Sequence, residues 1–257
     1  MQQRADVLKL SAQPVFHNHA SRDFSISSSG IMSSRVHLVR HTESVHNVDH
    51  DFTRLDPELT LLGRHQAEDI CRSFTYSDEV GVIVTSPLRR TIETTLLAFA
   101  NTLDKRYFDE ASGKGITGGA ELILDPDLQG HKAQPCDTGS DHSVLETIFP
   151  NLDFSGLPTG WQAKEGLYAP DALDERVRKV RGVLAERAAA LKSRERRDIV
   201  VVTHGGIMSH LSGDAGIKKL TRAGWRTYTL EQCDDGSVFL APTSRQDSGR
   251  PDDHYRN

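Results

Sequence analysis

Val36-His37-Leu38-Val39-Arg40-His41-Thr42-Glu43-Ser44 sets a short apolar run against a basic pair. Val36 to Val39 reads as a buried strand, and Arg40-His41 falls at its carboxyl end. Further along, Leu62, Ala67, Ile70 and Phe74 recur at helical spacing over Leu61 to Phe74, and Val80 to Val84 is a second apolar strand. Pro87 is expected to open a helix running to about Leu103, because proline is tolerated in a first helical turn. Glu121 to Leu124 reads as a strand, Leu173 to Leu191 as a long amphipathic helix, and Ile199 to Val202 as a β-branched strand followed by Thr203-His204-Gly205-Gly206. Trp225 to Leu230 and Val238 to Leu240 close the pattern as strands. Strands alternating with helices imply an α/β fold, a mostly parallel central sheet with helices on both faces. In such sheets ligands bind beyond the carboxyl ends of the strands, where Arg40-His41 and His204 both lie.

The chain of 257 residues is 37% hydrophobic and 26% charged, enough for one large packed domain. Its formal net charge of −5 offers no electrostatic reason to expect nucleic acid, and an anionic substrate would require positive charge concentrated locally. No apolar run approaches the ~20 residues of a membrane span. Cys71, Cys136 and Cys233 are odd in number and widely spaced, which excludes a full disulfide framework and fits reduced thiols in a cytoplasmic protein. Residues 1–33 are serine-rich and without apolar period, and read as a disordered N-terminal extension. Arg4, Lys9 and Arg22 hint at mitochondrial targeting, whereas Asp6 and Asp23 count against it. The domain is expected over residues 34–242, with a polar C-terminal tail over 243–257. The histidines outside the motifs, His37, His46 and His65 among them, show no zinc spacing, so neither metal nor cofactor is expected. Oligomeric state leaves no trace in the sequence.

Three further blocks give Arg40-His41 its meaning: Leu59-Thr60-Leu61-Leu62-Gly63-Arg64-His65-Gln66-Ala67, Ser86-Pro87-Leu88-Arg89-Arg90-Thr91 and Thr203-His204-Gly205-Gly206. In this order over residues 34 to 241 they resemble the histidine phosphatase superfamily, also called phosphoglycerate mutase-like. The usual opening there is Arg-His-Gly, and Thr42 departs from it. Pro135-Cys136-Asp137-Thr138-Gly139-Ser140-Asp141 and Gly160-Trp161 look most like a fungal branch.

The resemblance implies a fold of that type and a phosphatase acting through a phosphohistidine intermediate on a small phosphorylated substrate. Phosphoryl transfer needs an anion cradle, a nucleophile and a proton for the leaving oxygen. His41 matches the nucleophile. Arg40 and Arg90 would grip phosphate oxygens through bidentate charge-assisted bonds. Asn47 would add an amide donor, and His204, protonated beside the anion, would neutralise developing charge. Arg89 reads instead as a surface helix residue.

One part of the pattern is missing. The family's leaving-group acid sits in a Leu-Xaa-Glu setting, and here Leu128-Gln129-Gly130-His131 puts glycine at that position. The superfamily's other arrangement, an Asp directly after the second histidine, is replaced by Gly205. Three accounts stay open: His131 supplies the acid; the substrate carries a good leaving group; or the domain is a phosphate-ester binding or regulatory pseudoenzyme, or a phosphomutase-like enzyme of altered chemistry.

Overall fold

A computed structural model describes residues 34–243 except 215, 218 and 219. The expectations for residues 1–33 and for the tail beyond Thr243 lie outside the described residues. Six strands form one sheet: β1 (Arg35–Arg40), β2 (Val80–Thr85), β3 (Glu121–Leu124), β4 (Asp198–Thr203), β5 (Trp225–Gln232) and β6 (Val238–Pro242), in the order β3-β2-β4-β1-β5-β6. β3, β2, β4 and β1 run parallel, β5 is antiparallel to β1, and β6 is antiparallel to β5. The mostly parallel sheet expected from sequence is thus extended by an antiparallel hairpin at one side.

The helices are α1 (Val45–Asp49), α2 (Leu61–Ser73), α3 (Arg89–Ala98), α4 (His142–Ile148), α5 (Leu173–Leu191) and α6 (Gly205–Ser212). Strand periodicity divides the core between the two sheet faces. Val36, Leu38, Val82, Val84, Ile199 and Val201 pack with Val177, Val180, Leu184, Ile207 and Leu211 of α5 and α6. Val39, Ile83, Val200 and Val202 pack on the other face against Ala67 and Ile70 of α2, Phe74 just after it, and Ala98 of α3. All six residues of β4 are buried, the signature of a central strand covered on both sides.

The helix after β2 is shorter than its periodicity suggests. It begins at Arg89, not Pro87, and ends at Ala98, not Leu103. Thr91 Oγ1 donates to Ser86 O (2.7 Å) and Leu88 O (2.6 Å), shaping a turn that Pro87 occupies before the first helical residue. At the other end Leu103 is drawn into a bridge with Ala120, so Phe99 to Leu103 turns away toward β3. α2 starts where Thr60 Oγ1 accepts from Gly63 N (2.9 Å), a side-chain cap. α4 escaped the sequence reading because Val144 and Ile148 are exposed and blur its apolar stripe. A smaller core beside α3 gathers Leu145, Phe149, Phe154, Leu157 and the fully buried Trp161. That core anchors the connection between β3 and α5, which crosses the carboxyl edge of the sheet.

Candidate active site

β1 and β4 are neighbours in register, Arg40 opposite Thr203, so the residues following each strand emerge side by side. His41 N donates to Thr203 O (3.0 Å), and the rings of His41 and His204 lie 5.2 Å apart between centroids. β2 delivers the next component, with Ser86 N bonded to Val202 O (3.1 Å) and α3 carrying Arg90 inward. Thr42 fits the position usually held by glycine because Thr94 on α3 meets it. Thr42 N donates to Thr94 Oγ1, and the two hydroxyls also lie 3.2 Å apart.

The hydrogen bonds fix both tautomers. His41 Nδ1 lies 2.7 Å from Thr42 O, and a carbonyl can only accept, so Nδ1 carries the proton and Nε2 keeps its lone pair. Arg90 Nη2 lies 3.2 Å from His204 Nδ1, and a guanidinium can only donate, so that nitrogen is the acceptor. His204 Nε2 then donates to Ser86 Oγ at 3.1 Å. Both imidazoles are held neutral. Burial is the main cause, reinforced for His41 by Arg90 and Arg40 and for His204 by Arg90, so each has a pKa well below the ordinary histidine value.

Arg90 is 1% exposed and spans the site, donating through Nη1 to Cys136 O (2.6 Å) and through Nη2 to Asp137 Oδ1 (2.8 Å). Arg40 donates through Nη1 to Leu220 O (2.8 Å), while its Nε is buried without a protein partner. Arg89, partly buried, pairs instead with Glu58 (3.3 Å) and with the buried Glu93 (3.7 Å). Asn47 accepts from Ser44 N (3.2 Å) and donates to His46 Nε2 (2.9 Å). His131 stands at the rim, its ring against the backbone of Gly206 and 6.3 Å from the ring of His210. Burial lowers its pKa, with Asp137 acting in the opposite sense.

Residues 36–110 match the family model of the histidine phosphatase superfamily (branch 1). Over that segment the chain is similar to that superfamily. Two Arabidopsis thaliana relatives carry the likeness beyond the matched segment. "Phosphoglycerate mutase-like protein 1" is 27% identical over 68% of this chain and 69% of its own length. "Phosphoglycerate mutase-like protein" is 26% identical over 70% and 74%. Among solved structures, "Mycobacterial hydrolase 1" superposes with a TM-score of 0.50 at 20% identity, covering 84% of this chain and all of that one. "Mycobacterial hydrolase 2" has the same TM-score at 21% identity, covering 84% and 92%. These two structures bear on the fold alone.

Around the His41–His204 pair the structure gathers residues that no motif singled out. Arg222 acts electrostatically on both Arg40 and His46, and its Nε is buried without a protein partner. Burial, then Arg90 and Arg222, lower His46 to about 4. Lys164 donates to Gly130 O (3.0 Å) and to Gln129 Oε1, and its charge reaches His204. With Arg40 and Arg90 these cations supply the local positive charge that a chain of net −5 needs to hold an anion. Asp56 ties the loop before α2 to the site. Its carboxylate accepts from Arg89 N and Ser140 N, both at 2.9 Å. Among the described residues no group of three or more His, Cys, Asp or Glu side chains is placed to hold a metal ion, and no helix is long and apolar enough to cross a membrane.

Proposed function

We propose that this protein is a metal-independent phosphatase that hydrolyses a small phosphorylated molecule through a phosphohistidine at His41. The observation that carries this reading is the 2.7 Å bond from His41 Nδ1 to Thr42 O, which leaves the Nε2 lone pair for attack beside a second buried histidine. Nε2 attacks phosphorus in line, the P–N bond forms, and the bond to the leaving oxygen breaks. Arg40 and Arg90 hold the equatorial oxygens. Arg90 is already oriented by Cys136 and Asp137, so little reorganisation accompanies phosphate binding. As Arg90 Nη2 turns from His204 Nδ1 to the arriving dianion, Nδ1 takes up a proton and His204 stabilises the charge that develops. Water then attacks the phosphorus, the P–N electrons return to Nε2, and inorganic phosphate departs.

The discriminating experiment is a hydrolysis panel spanning leaving-group pKa, run beside His41→Ala and an acid-quench assay for phosphoenzyme. His41-dependent turnover with an acid-labile phosphoenzyme is expected. Tight binding of inorganic phosphate with neither turnover nor phosphoenzyme would instead identify a phosphate-ester binding protein on this scaffold. The absence of a carboxylate at Gly130 is the feature that favours that rival.

A further inference from the structure

If turnover proceeds through His41, the leaving oxygen needs a proton that Gly130 cannot give. Three titratable groups surround this glycine. Asp137 Oδ1 is committed as an acceptor of Arg90. His131 is shifted toward its neutral form and lies over Gly206. Lys164 is half-buried, and its ammonium is fixed on both sides of the gap, to Gly130 O at 3.0 Å and to the Gln129 side chain.

The placement of Lys164 is built into the fold. Gln129 is fully buried, and its Nε2 donates to Trp161 O (2.8 Å), so the same amide that receives Lys164 pins the segment carrying it. Trp161 is itself buried against Gly139, at a spacing that leaves no room for a Cβ there. An ammonium has three donors. Two are used on Gln129 and Gly130, and the third remains for a ligand.

We propose, on the reading that His41 is the nucleophile, that Lys164 is the catalytic acid, donating an Nζ proton to the leaving oxygen in place of a carboxylic acid at position 130. As the P–O bond breaks, the oxygen takes the proton and Nζ keeps the N–H electron pair. In the second half-reaction neutral Nζ accepts a proton from the water attacking the phosphohistidine, and the ammonium is restored. The surroundings suit the task. Burial lowers Lys164 to about 8, with Asp137 opposing and Arg176 and Arg90 assisting, while Cys136 acts in the same sense as Asp137. A lysine so tuned is still mostly protonated at neutral pH, yet gives up its proton far more readily than an ordinary ammonium.

The test compares the full-length protein with Lys164→Arg, Lys164→Met, His131→Ala and Asp137→Asn, on p-nitrophenyl phosphate and on glycerol phosphate. Arginine keeps the charge and cannot be deprotonated usefully. For both Lys164 variants we expect a loss of roughly 10²–10⁴-fold on glycerol phosphate. On p-nitrophenyl phosphate, which needs little protonation, the loss should be under about tenfold. In the parent, kcat/KM for glycerol phosphate should fall as pH rises through about 8, and Lys164→Arg should remove that limb. A Tm and circular dichroism spectrum of Lys164→Arg matching the parent, expected here, show that the fold around the site is intact. Equal losses on both substrates in Lys164→Arg would overturn the proposal. So would a selective glycerol phosphate defect in His131→Ala or Asp137→Asn with Lys164→Arg unaffected. Absence of any His41-dependent hydrolysis would remove the phosphatase reading, and this one with it. Retained His41-dependent hydrolysis with an unaltered substrate ratio would remove this one alone.

Discussion

The carboxylate of Asp137 occupies the space into which a Cβ on Gly130 would project, inside van der Waals contact. Gly130 is not among the residues with positive φ, so side-chain volume, not backbone strain, is what glutamate would meet there. Gly130→Glu should push Asp137 off Arg90 and weaken inorganic-phosphate inhibition by about 1.5–3 kcal/mol, the scale of one hydrogen bond to a charged group. Combining it with Asp137→Ala should recover part of the loss, because the second change removes the obstacle. Additive losses in this cycle, read from inhibition constants, would show that the two positions do not compete for one space.

Arg40→Ala, Arg90→Ala and His204→Ala should each weaken inhibition by vanadate at least tenfold. Arg89→Ala should change it by less than about twofold, because the Arg89 side chain is taken up by Glu58 and Glu93 and not by the histidine pair. A dominant Arg89 effect would mean that α3 presents the neighbouring residue to the ligand.

Anion binding should take up protons. The buried imidazoles of His41, His204 and His46 are neutral in the free protein, and an adjacent dianion favours their charged forms. Their pKa values therefore rise on binding, and affinity should increase as pH falls through the window between the free and bound values. Sulfate is the clean probe because its own charge is constant there. Calorimetry in buffers of different ionisation enthalpy reads the uptake directly. Proton release would reverse the assignment of neutral histidines.

The same groups set the acid limb of stability. His37, His41, His46 and His204 all have folded-state values below the ordinary 6.5, so below that pH the unfolded chain binds more protons. Their stabilising contribution is complete above pH 6.5 and is lost as pH falls toward the depressed values. Tm should drop between pH 7.5 and pH 5, and saturating sulfate should reduce the drop. A Tm that is flat across that interval would contradict the buried neutral state.

Arg222→Ala should raise the pKa of His46 from about 4, since Arg222 is one of the charges holding it down. Imidazole proton shifts followed by NMR would measure this. No movement would place Arg222 outside the site in solution.

The strands were legible because β-branched runs such as Ile199 to Val202 are buried on both faces and need no partner to be recognised. Arg40, His41 and His204 were legible because each stands at or just past a strand's carboxyl end in a local motif, and Arg90 because its motif opens the helix that follows β2. Lys164 and Arg222 were not. Each reaches the histidines from a connection whose course depends on tertiary contacts: Trp161 against Gly139 for one, the turn before β5 for the other. α1 spans only five residues, too short for any periodicity to register. The true ends of α3 depended on Thr91 bonding back to Ser86 and on the Leu103–Ala120 bridge, neither of which is a property of the helical segment itself.

The central position of β1 makes the first strand wait for nearly the last. Arg35 donates to Asp198, 163 residues further along, and both neighbours of β1, β4 and β5, lie in the final third of the chain. At ~5–20 residues per second, roughly ten to thirty seconds of translation separate the two halves of that pairing. Until then Val36, Leu38 and Val39 have no sheet to enter, and β2 and β3 can pair only with each other. The nascent polypeptide therefore carries an unpaired apolar strand, with the His41 loop attached, for most of its synthesis. Ribosome-associated holdases that cover such segments would meet this chain early, and stalled products ending before β4 should be protease-sensitive across residues 35–44.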